Sequence, residues 1–285
     1  MLTNCDKVYE DLVGRGRRES TARRWAAIVR RFEACCGVKG GYGRGDVVKF
    51  LVRLRADGMS QNSINTVIQP IKLLSHIQGW KNGFPKLVMA RVRRSEISRP
   101  VFSMEEMRLL IMKAKEVCSG RELAFLAMAS TYGLRREEIG TLEICEGAVK
   151  VNTVKGGEVT THLIPDEVKE FIKDYRGCKD VRYLTRVFQK VMGKVGLEVD
   201  GKRYGWHSIR RALASELLLR DVSLLNIVRF MRWSDDSLKS ELGMLAIYAQ
   251  RRQEDIDRSI FNVHPFLTFW VEQSLTDSAV GVECL

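Results

Sequence analysis

The chain contains no CxxC pair. Its seven cysteines, at positions 5, 35, 36, 118, 145, 178 and 284, are odd in number and scattered. Neither a zinc site nor a disulfide framework is indicated, and a reducing compartment fits them best. No apolar run approaches the ~20 residues that cross a bilayer. The N-terminus carries Asp6, Glu10 and Asp11, so it lacks the basic-then-apolar pattern of a signal peptide. An intracellular chain without a membrane partner is the expectation. No internal repeat or low-complexity tract is present, which removes solenoid architectures. There is no Walker pattern, no acidic metal cluster and no HExxH, so no cofactor and no metal is expected.

What is present suffices for one large or two modest globular domains: 285 residues, 45% apolar and 29% charged. The 47 basic residues outnumber the 35 acidic ones, for a net charge of +12. All of that excess lies early. Residues 1–100 hold 20 basic and 8 acidic residues, and the remainder holds 27 of each. A polyanion-gripping module joined to a more neutral one shows this asymmetry, because neutralising phosphates supplies most of the sequence-independent affinity for nucleic acid. A merely basic, soluble surface shows it too.

In the first third, STARRWAAIVRRFEACC (20–36) reads as a helix with Ser20 as N-cap and Trp25, Val29, Phe32 and Cys36 on one apolar face. Arg23, Arg24, Arg30 and Arg31 fall on the other side, as a solvated face or a strip facing a DNA backbone. A second helix covers 46–57 and stops at Gly58. A third runs from Ser60 to Ile77, with Pro70 expected to kink it. Its first turns carry Gln61, Asn62, Ser63 and Asn65, short polar side chains suited to phosphates or base edges, or simply to capping and solvent. The stretch PKLVMARVRRSEISRP then brings Arg91, Arg93, Arg94 and Arg99 ahead of Pro100. We read 1–95 as a helical module, 96–101 as a basic linker and 102–285 as a second, larger module.

In that larger module, Ser103 caps a helix with an acidic first turn, and 121–132 reads as a helix apolar almost all round. Gly133-Leu134-Arg135-Arg136-Glu137-Glu138-Ile139 follows. Gly133 permits close backbone approach, and Arg135 can offer its planar fork to an anion or pair with Glu138. Residues 148–164 alternate as a β-hairpin with Gly156-Gly157 at the turn and Lys155 at the tip. His162 reads as a strand residue without a partner. Segments 166–175 and 181–195 read as helical. In GWHSIRRALASELLL, Ile209, Leu213, Leu217 and Leu218 recur at helical spacing, so His207 and Arg210, three apart, project from one face and can touch one phosphate. Of the seven tyrosines, Tyr248 alone follows this helix.

GLRREEI, a lysine in VKGG, HSIR, a tryptophan in RW and a tyrosine in IYAQ occur in that order. Each is a weak pattern; the ordered set resembles the tyrosine recombinase (phage integrase) family over nearly the whole chain. The resemblance implies a mainly α fold with a small β-sheet. An N-terminal helical core-binding (SAM-like) DNA-binding domain would be followed by a mixed α+β catalytic domain, the two clamping duplex DNA. It places the catalytic positions on Arg135, Lys155, His207, Arg210, Trp233 and Tyr248, with Glu138 at the acidic position.

The chemistry is intelligible from the residues. Breaking a phosphodiester needs an oxygen nucleophile, neutralised non-bridging oxygens and a proton for the leaving sugar oxygen. Arg135 and Arg210 would clamp the oxygens, Lys155 would act as general acid, and His207 would assist proton transfer or orient the phosphate. The Trp233 indole N–H would add a hydrogen bond. Tyr248 would hold the DNA as a 3′-phosphotyrosine that a second strand attacks. Trp206 reads as core packing.

Tyr248 lies fifteen positions after Trp233, a longer interval than is usual in the family, and SDDSLKSELGML falls within it. Delivery to its own subunit's site or to a neighbour's stays open. Phe266, Leu267, Phe269, Trp270 and Val271 suit docking on an adjacent protomer or folding back on their own domain. The expected activity is site-specific recombination or integration on double-stranded DNA. The expected assembly is a tetramer on two DNA sites, from a monomer or weak dimer in free solution. The expected location is with DNA, in the cytoplasm and nucleoid or in a nucleus. A type IB topoisomerase-like relaxing enzyme and a non-cutting architectural protein of the same fold are the other readings.

Overall fold

The computed structural model describes residues 3–80, 84–85, 100–153, 159–197, 204–233 and 252–273. The chain divides into two compact units, Met1–Ser98 and Arg99–Leu285.

The first unit packs four helices: α1 (Asn4–Gly14), α2 (Glu19–Cys36), α3 (Arg44–Ala56) and α4 (Gln61–Ile77). α1 was not read from the sequence. Its start is set by Thr3, whose side chain accepts from the Asp6 amide while Asp6 accepts from the Thr3 amide. Ser20 is not a cap: α2 begins one residue earlier, after Arg18, with Glu19 in its first turn, bonded to Tyr9 and Arg23. Ser60 does cap α4, which runs through Pro70. The core between the helices is Val8, Val29, Phe32, Phe50, Leu54, Ile71 and Leu74. Asn4 links α1 to α2 and to the end of α4, donating to Glu33 and accepting from Gln78.

The second unit is built around α6 (Gly120–Tyr132), in which every residue from Ala124 to Tyr132 is buried. α5 (Met104–Val117) precedes it, and both start at a serine capping box, Ser103 with Glu106 and Ser119 with Glu122. α7 (Arg136–Thr141) leads into a three-stranded antiparallel sheet, β1 (Glu143–Cys145), β2 (Ala148–Asn152) and β3 (Val159–Leu163), in the order β1-β2-β3. The expected hairpin is therefore extended by a strand too short to show periodicity. Val149 pairs with His162, and Val149, Val151 and His162 are buried.

A 3₁₀ turn (Asp166–Val168), α8 (Lys169–Ile172), α9 (Val181–Val195), α10 (Trp206–Leu219) and α11 (Leu224–Phe230) follow, and α12 (Gln253–Phe261) and α13 (Leu267–Val271) close the unit. Trp206 is core, its indole N–H donating to the Leu184 carbonyl. Of the two readings of the C-terminal apolar segment, docking on a neighbour is corrected. Phe266, Leu267, Phe269 and Trp270 are buried in their own unit's core, where Trp270 bonds Ser130 and Lys115 takes three carbonyls of the segment. Only Val271 is exposed. Burying four large apolar groups against α5 and α6 removes the need for a partner to cover them.

Candidate active site

The site starts where α6 stops. Gly133 takes a left-handed conformation (φ 54°), which ends the helix and sends the chain through buried Leu134 into an extended Arg135 and then α7. A Cβ on Gly133 would sit 2.7 Å from the sulfur of Met231, so the turn passes tightly against the residues before Trp233. Glu138, one helical turn on and fully buried, accepts from the Arg135 amide (2.8 Å) and from its guanidinium (2.6 Å). Pairing with Glu138 and pointing at the site are thus compatible for Arg135, whose other terminal nitrogen donates to the Arg232 carbonyl at 2.9 Å.

Arg210 comes to the same place from α10. Ile209, Leu213 and Leu217 seat that helix in the core, and Arg210 is carried inward with them. Its two terminal nitrogens donate to the carbonyls of Gly133 and Met231, and it lies 3.9 Å from Glu138. His207, one turn earlier, is exposed. Desolvation first, then Arg210, Arg211, Arg136 and Arg135, hold its pKa below the ordinary histidine value, so the imidazole is neutral at pH 7. Trp233 is half-buried, its amide bonded to Val228.

Arg232 was missed. It sits unflagged in the RW motif, yet its side chain is 1% exposed and reaches Glu138 (3.4 Å), the Tyr132 and Phe230 carbonyls and His162. The signal in the sequence was a pair of basic residues, Arg229 and Arg232, inside the apolar run IVRFMRW. His162 needs correction as well: it is a strand residue, as read, but it has partners. Its Nδ1 lies 2.9 Å from Asp257 on α12, and its Nε2 faces Thr160 and Arg232. Because Arg232 can only donate, Nε2 must accept, and the ring proton sits on Nδ1 toward Asp257. Burial foremost keeps this imidazole's pKa low. No local pattern could show a partner 95 residues away.

Electrostatically the cluster is three guanidiniums around one carboxylate. Burial would raise the Glu138 pKa, but Arg232 and Arg135 prevail and hold it below the usual carboxylate range, so it is ionised. Burial, Arg232 and Arg135 in turn push the Arg210 pKa down; a guanidinium nevertheless stays protonated in a protein. One carboxylate cannot balance three cations, and an anion placed among them relieves their mutual repulsion. Among the described residues there is no group of three or more side chains that could hold a metal ion.

Arg135, Arg210, Trp233 and, at the surface, His207 are therefore brought together. Lys155 and Tyr248 lie outside the described residues, as do Gly156, Gly157, Arg91, Arg93, Arg94 and Arg99. Lys155 falls between β2 and β3, whose last register pair is Asn152 with Val159. In the first unit Arg23, Arg24, Arg30 and Arg31 are all exposed along α2, Arg23 paired with Glu19 and Arg31 with Asp57. Asn62 and Ser63 are exposed at the start of α4, and Gln61, half-buried, donates to Asn65.

No family model matches the chain. It is 23% identical over 270 residues to the tyrosine recombinase XerA of Pyrococcus furiosus, covering 86% of this chain and 89% of that one. Among solved structures it resembles a lambda integrase (75–356) dimer bound to a COC′ core site, with a TM-score of 0.66 at 15% identity over 84% of this chain and 96% of the other. It also resembles a lambda integrase tetramer bound to a Holliday junction, with a TM-score of 0.63 at 14% identity over 84% and 79%. The fold is that of the integrases: mainly helical, with a small antiparallel sheet beside the arginine cluster. In its ordered motifs, in its similarity to this XerA and in its fold, the chain resembles the tyrosine recombinases.

Proposed function

We propose that this protein is a site-specific DNA recombinase or integrase that cuts and rejoins duplex DNA through a 3′-phosphotyrosine. The observation that carries this is the convergence of Arg135 and Arg210, 75 residues apart in sequence, on Glu138 and on the carbonyls beside Trp233. Two charge-assisted donors, Arg210 buried and Arg135 half-buried, are fixed before substrate arrives and suit a trigonal-bipyramidal phosphorane, whose negative charge they meet without reorganising. The neutral His207 imidazole can pass a proton, and Trp233 offers an indole N–H. Lys155 is the general acid for the leaving 5′ oxygen and Tyr248 the nucleophile. The covalent intermediate keeps the phosphoester bond energy, so rejoining needs no external source.

The partner is double-stranded DNA, gripped through phosphates by Arg23, Arg24, Arg30 and Arg31, by Gln61, Asn62, Ser63 and Asn65, and by Arg91, Arg93 and Arg94. The working assembly is a homotetramer on two sites; the similar lambda integrase is a tetramer bound to a Holliday junction. Residues 1–95 form the core-binding domain and 102–285 the catalytic domain. The protein works inside the cell, with DNA in the nucleoid or a nucleus. No helix of the described residues is long and apolar enough to cross a membrane.

The test is covalent trapping on a nicked duplex, comparing wild type with Tyr248→Phe by denaturing gel and peptide mapping. A wild-type adduct that disappears in Tyr248→Phe is the expected result. Tight DNA binding with no adduct from wild type would replace the enzyme with an architectural protein.

A further inference from the structure

We propose that Arg232 is a positioning residue of the phosphate site: it fixes the turn whose two consecutive carbonyls aim Arg210 and Arg135, and it ties that turn to α12 through His162 and Asp257. The proposal rests on reading the arginine cluster as a phosphate site.

The turn is where the geometry is unusual. The Met231 carbonyl accepts from Arg210 and the next carbonyl, that of Arg232, accepts from Arg135. Two successive peptide units thus set the direction of both forks, and Trp233 follows directly. Arg232 takes φ +54°, a left-handed conformation that is uncommon for a residue with a Cβ and favours glycine. Something must hold it there. The Arg232 side chain does so by bonding the Phe230 carbonyl on its own turn, the Tyr132 carbonyl at the end of α6, Glu138 on α7 and His162 on β3.

Arg232 is a costly choice if stability alone is served. The guanidinium is buried, its Nε has no partner among the described residues, and it brings a third positive charge to Glu138. A glycine would satisfy the backbone without any of these costs. What the arginine adds is a rigid link. Its Nη1 meets His162, whose Nδ1 meets Asp257; Asp257 also accepts the Leu163 amide at 2.8 Å and Gln253 at 2.8 Å. α12 opens at Gln253, a few residues beyond Tyr248 in sequence, and β3 begins just after Lys155. One buried chain of hydrogen bonds therefore joins the arginine site to elements that border both remaining catalytic positions.

The test uses the full chain and compares wild type with Arg232→Gly and Arg232→Lys. Glycine keeps the left-handed turn and removes the fork; lysine keeps the charge but cannot reach Glu138 and His162 together. Thermal unfolding, duplex affinity, affinity for inorganic phosphate, and single-turnover adduct formation resolved into amplitude and rate constant are measured. The expected result for Arg232→Gly is a full amplitude, duplex affinity unchanged, weaker phosphate binding and a rate constant lower by about 100-fold. Arg232→Lys should recover part of the rate at most. A merely structural residue would lower the amplitude with the folded fraction and leave the rate constant at the wild-type value, which would overturn the proposal. Absence of an adduct from wild type would sink the recombinase reading instead, and phosphate affinity would then decide: equal affinity in all three proteins overturns the positioning role. If Arg232→Gly shows no unfolding transition, Arg232→Lys carries the same comparison.

Discussion

Glu138 has two oxygens and three guanidiniums around it, and its burial makes each of those contacts count. Replacing it by glutamine keeps the shape and removes the charge, leaving buried Arg210 and Arg232 and half-buried Arg135 to repel one another. Breaking a buried ion pair from one side costs about 3–5 kcal/mol. Glu138→Gln should therefore lower the unfolding free energy by that order, seen as a lower urea midpoint. The loss should shrink as phosphate is added, because an anion takes over the missing charge; unfolding curves at several phosphate concentrations check both points. A midpoint that does not respond to phosphate in the variant would show that the cluster is closed to anions. Residue identity supplies the charge here, and the neighbours decide what it does: the same arginine type is solvated along α2 and buried at positions 210 and 232.

Among the elements, the α6–α7 turn is tightly constrained. Gly133 needs its positive φ, and its carbonyl is a partner of Arg210. Gly133→Ala adds left-handed strain of about 1 kcal/mol and a Cβ that drives into fully buried Met231 and Leu213. Chemical denaturation should show a loss of about 1–3 kcal/mol, and adduct formation should slow because Met231 also holds Arg210. Gly140 in α7 is closer still: a Cβ there would lie 2.0 Å from the Cys178 carbonyl. The amide of Cys178 bonds the Gly140 carbonyl, so this approach seats α7 against the chain leading into α9. Gly133 is legible in the sequence as a point of close backbone approach; the partner that makes each glycine necessary is remote.

On the scale of the whole molecule, stability should depend on acid through buried imidazoles. His264 is buried, with its Nε2 proton on the Thr131 carbonyl and its Nδ1 accepting from the Phe266 amide. Burial above all lowers its pKa to about 4, against ~6.5 when unfolded. As pH falls below ~6.5 the unfolded chain takes up the proton first, so stability declines until the native imidazole also titrates. The decline attributable to this one residue is about 3 kcal/mol by pH 4. His162 is shifted in the same direction and adds to it. Urea unfolding of wild type and His264→Gln from pH 7 to pH 4 tests this: the variant should start less stable and lose less. A parallel decline in both proteins would assign the acid sensitivity to carboxylates.

The sequence by itself determined the elements and the chemistry available to them. Serine caps at 60 and 103, apolar periodicity in α2, α4, α5 and α10, and the all-apolar α6 are local properties of a few adjacent residues, which is why they are readable in order along the chain. The ordered motifs likewise marked Arg135, Arg210, His207 and Trp233, since each is defined by near neighbours. Tertiary structure alone decided the rest. It turned Arg232 from an unremarked neighbour of Trp233 into the residue between Glu138 and His162, gave His162 a carboxylate 95 residues distant, and folded the C-terminal aromatics into their own core. Those outcomes depend on burial and on meetings between distant segments, and hydrogen bonds of that kind leave no periodicity in the chain.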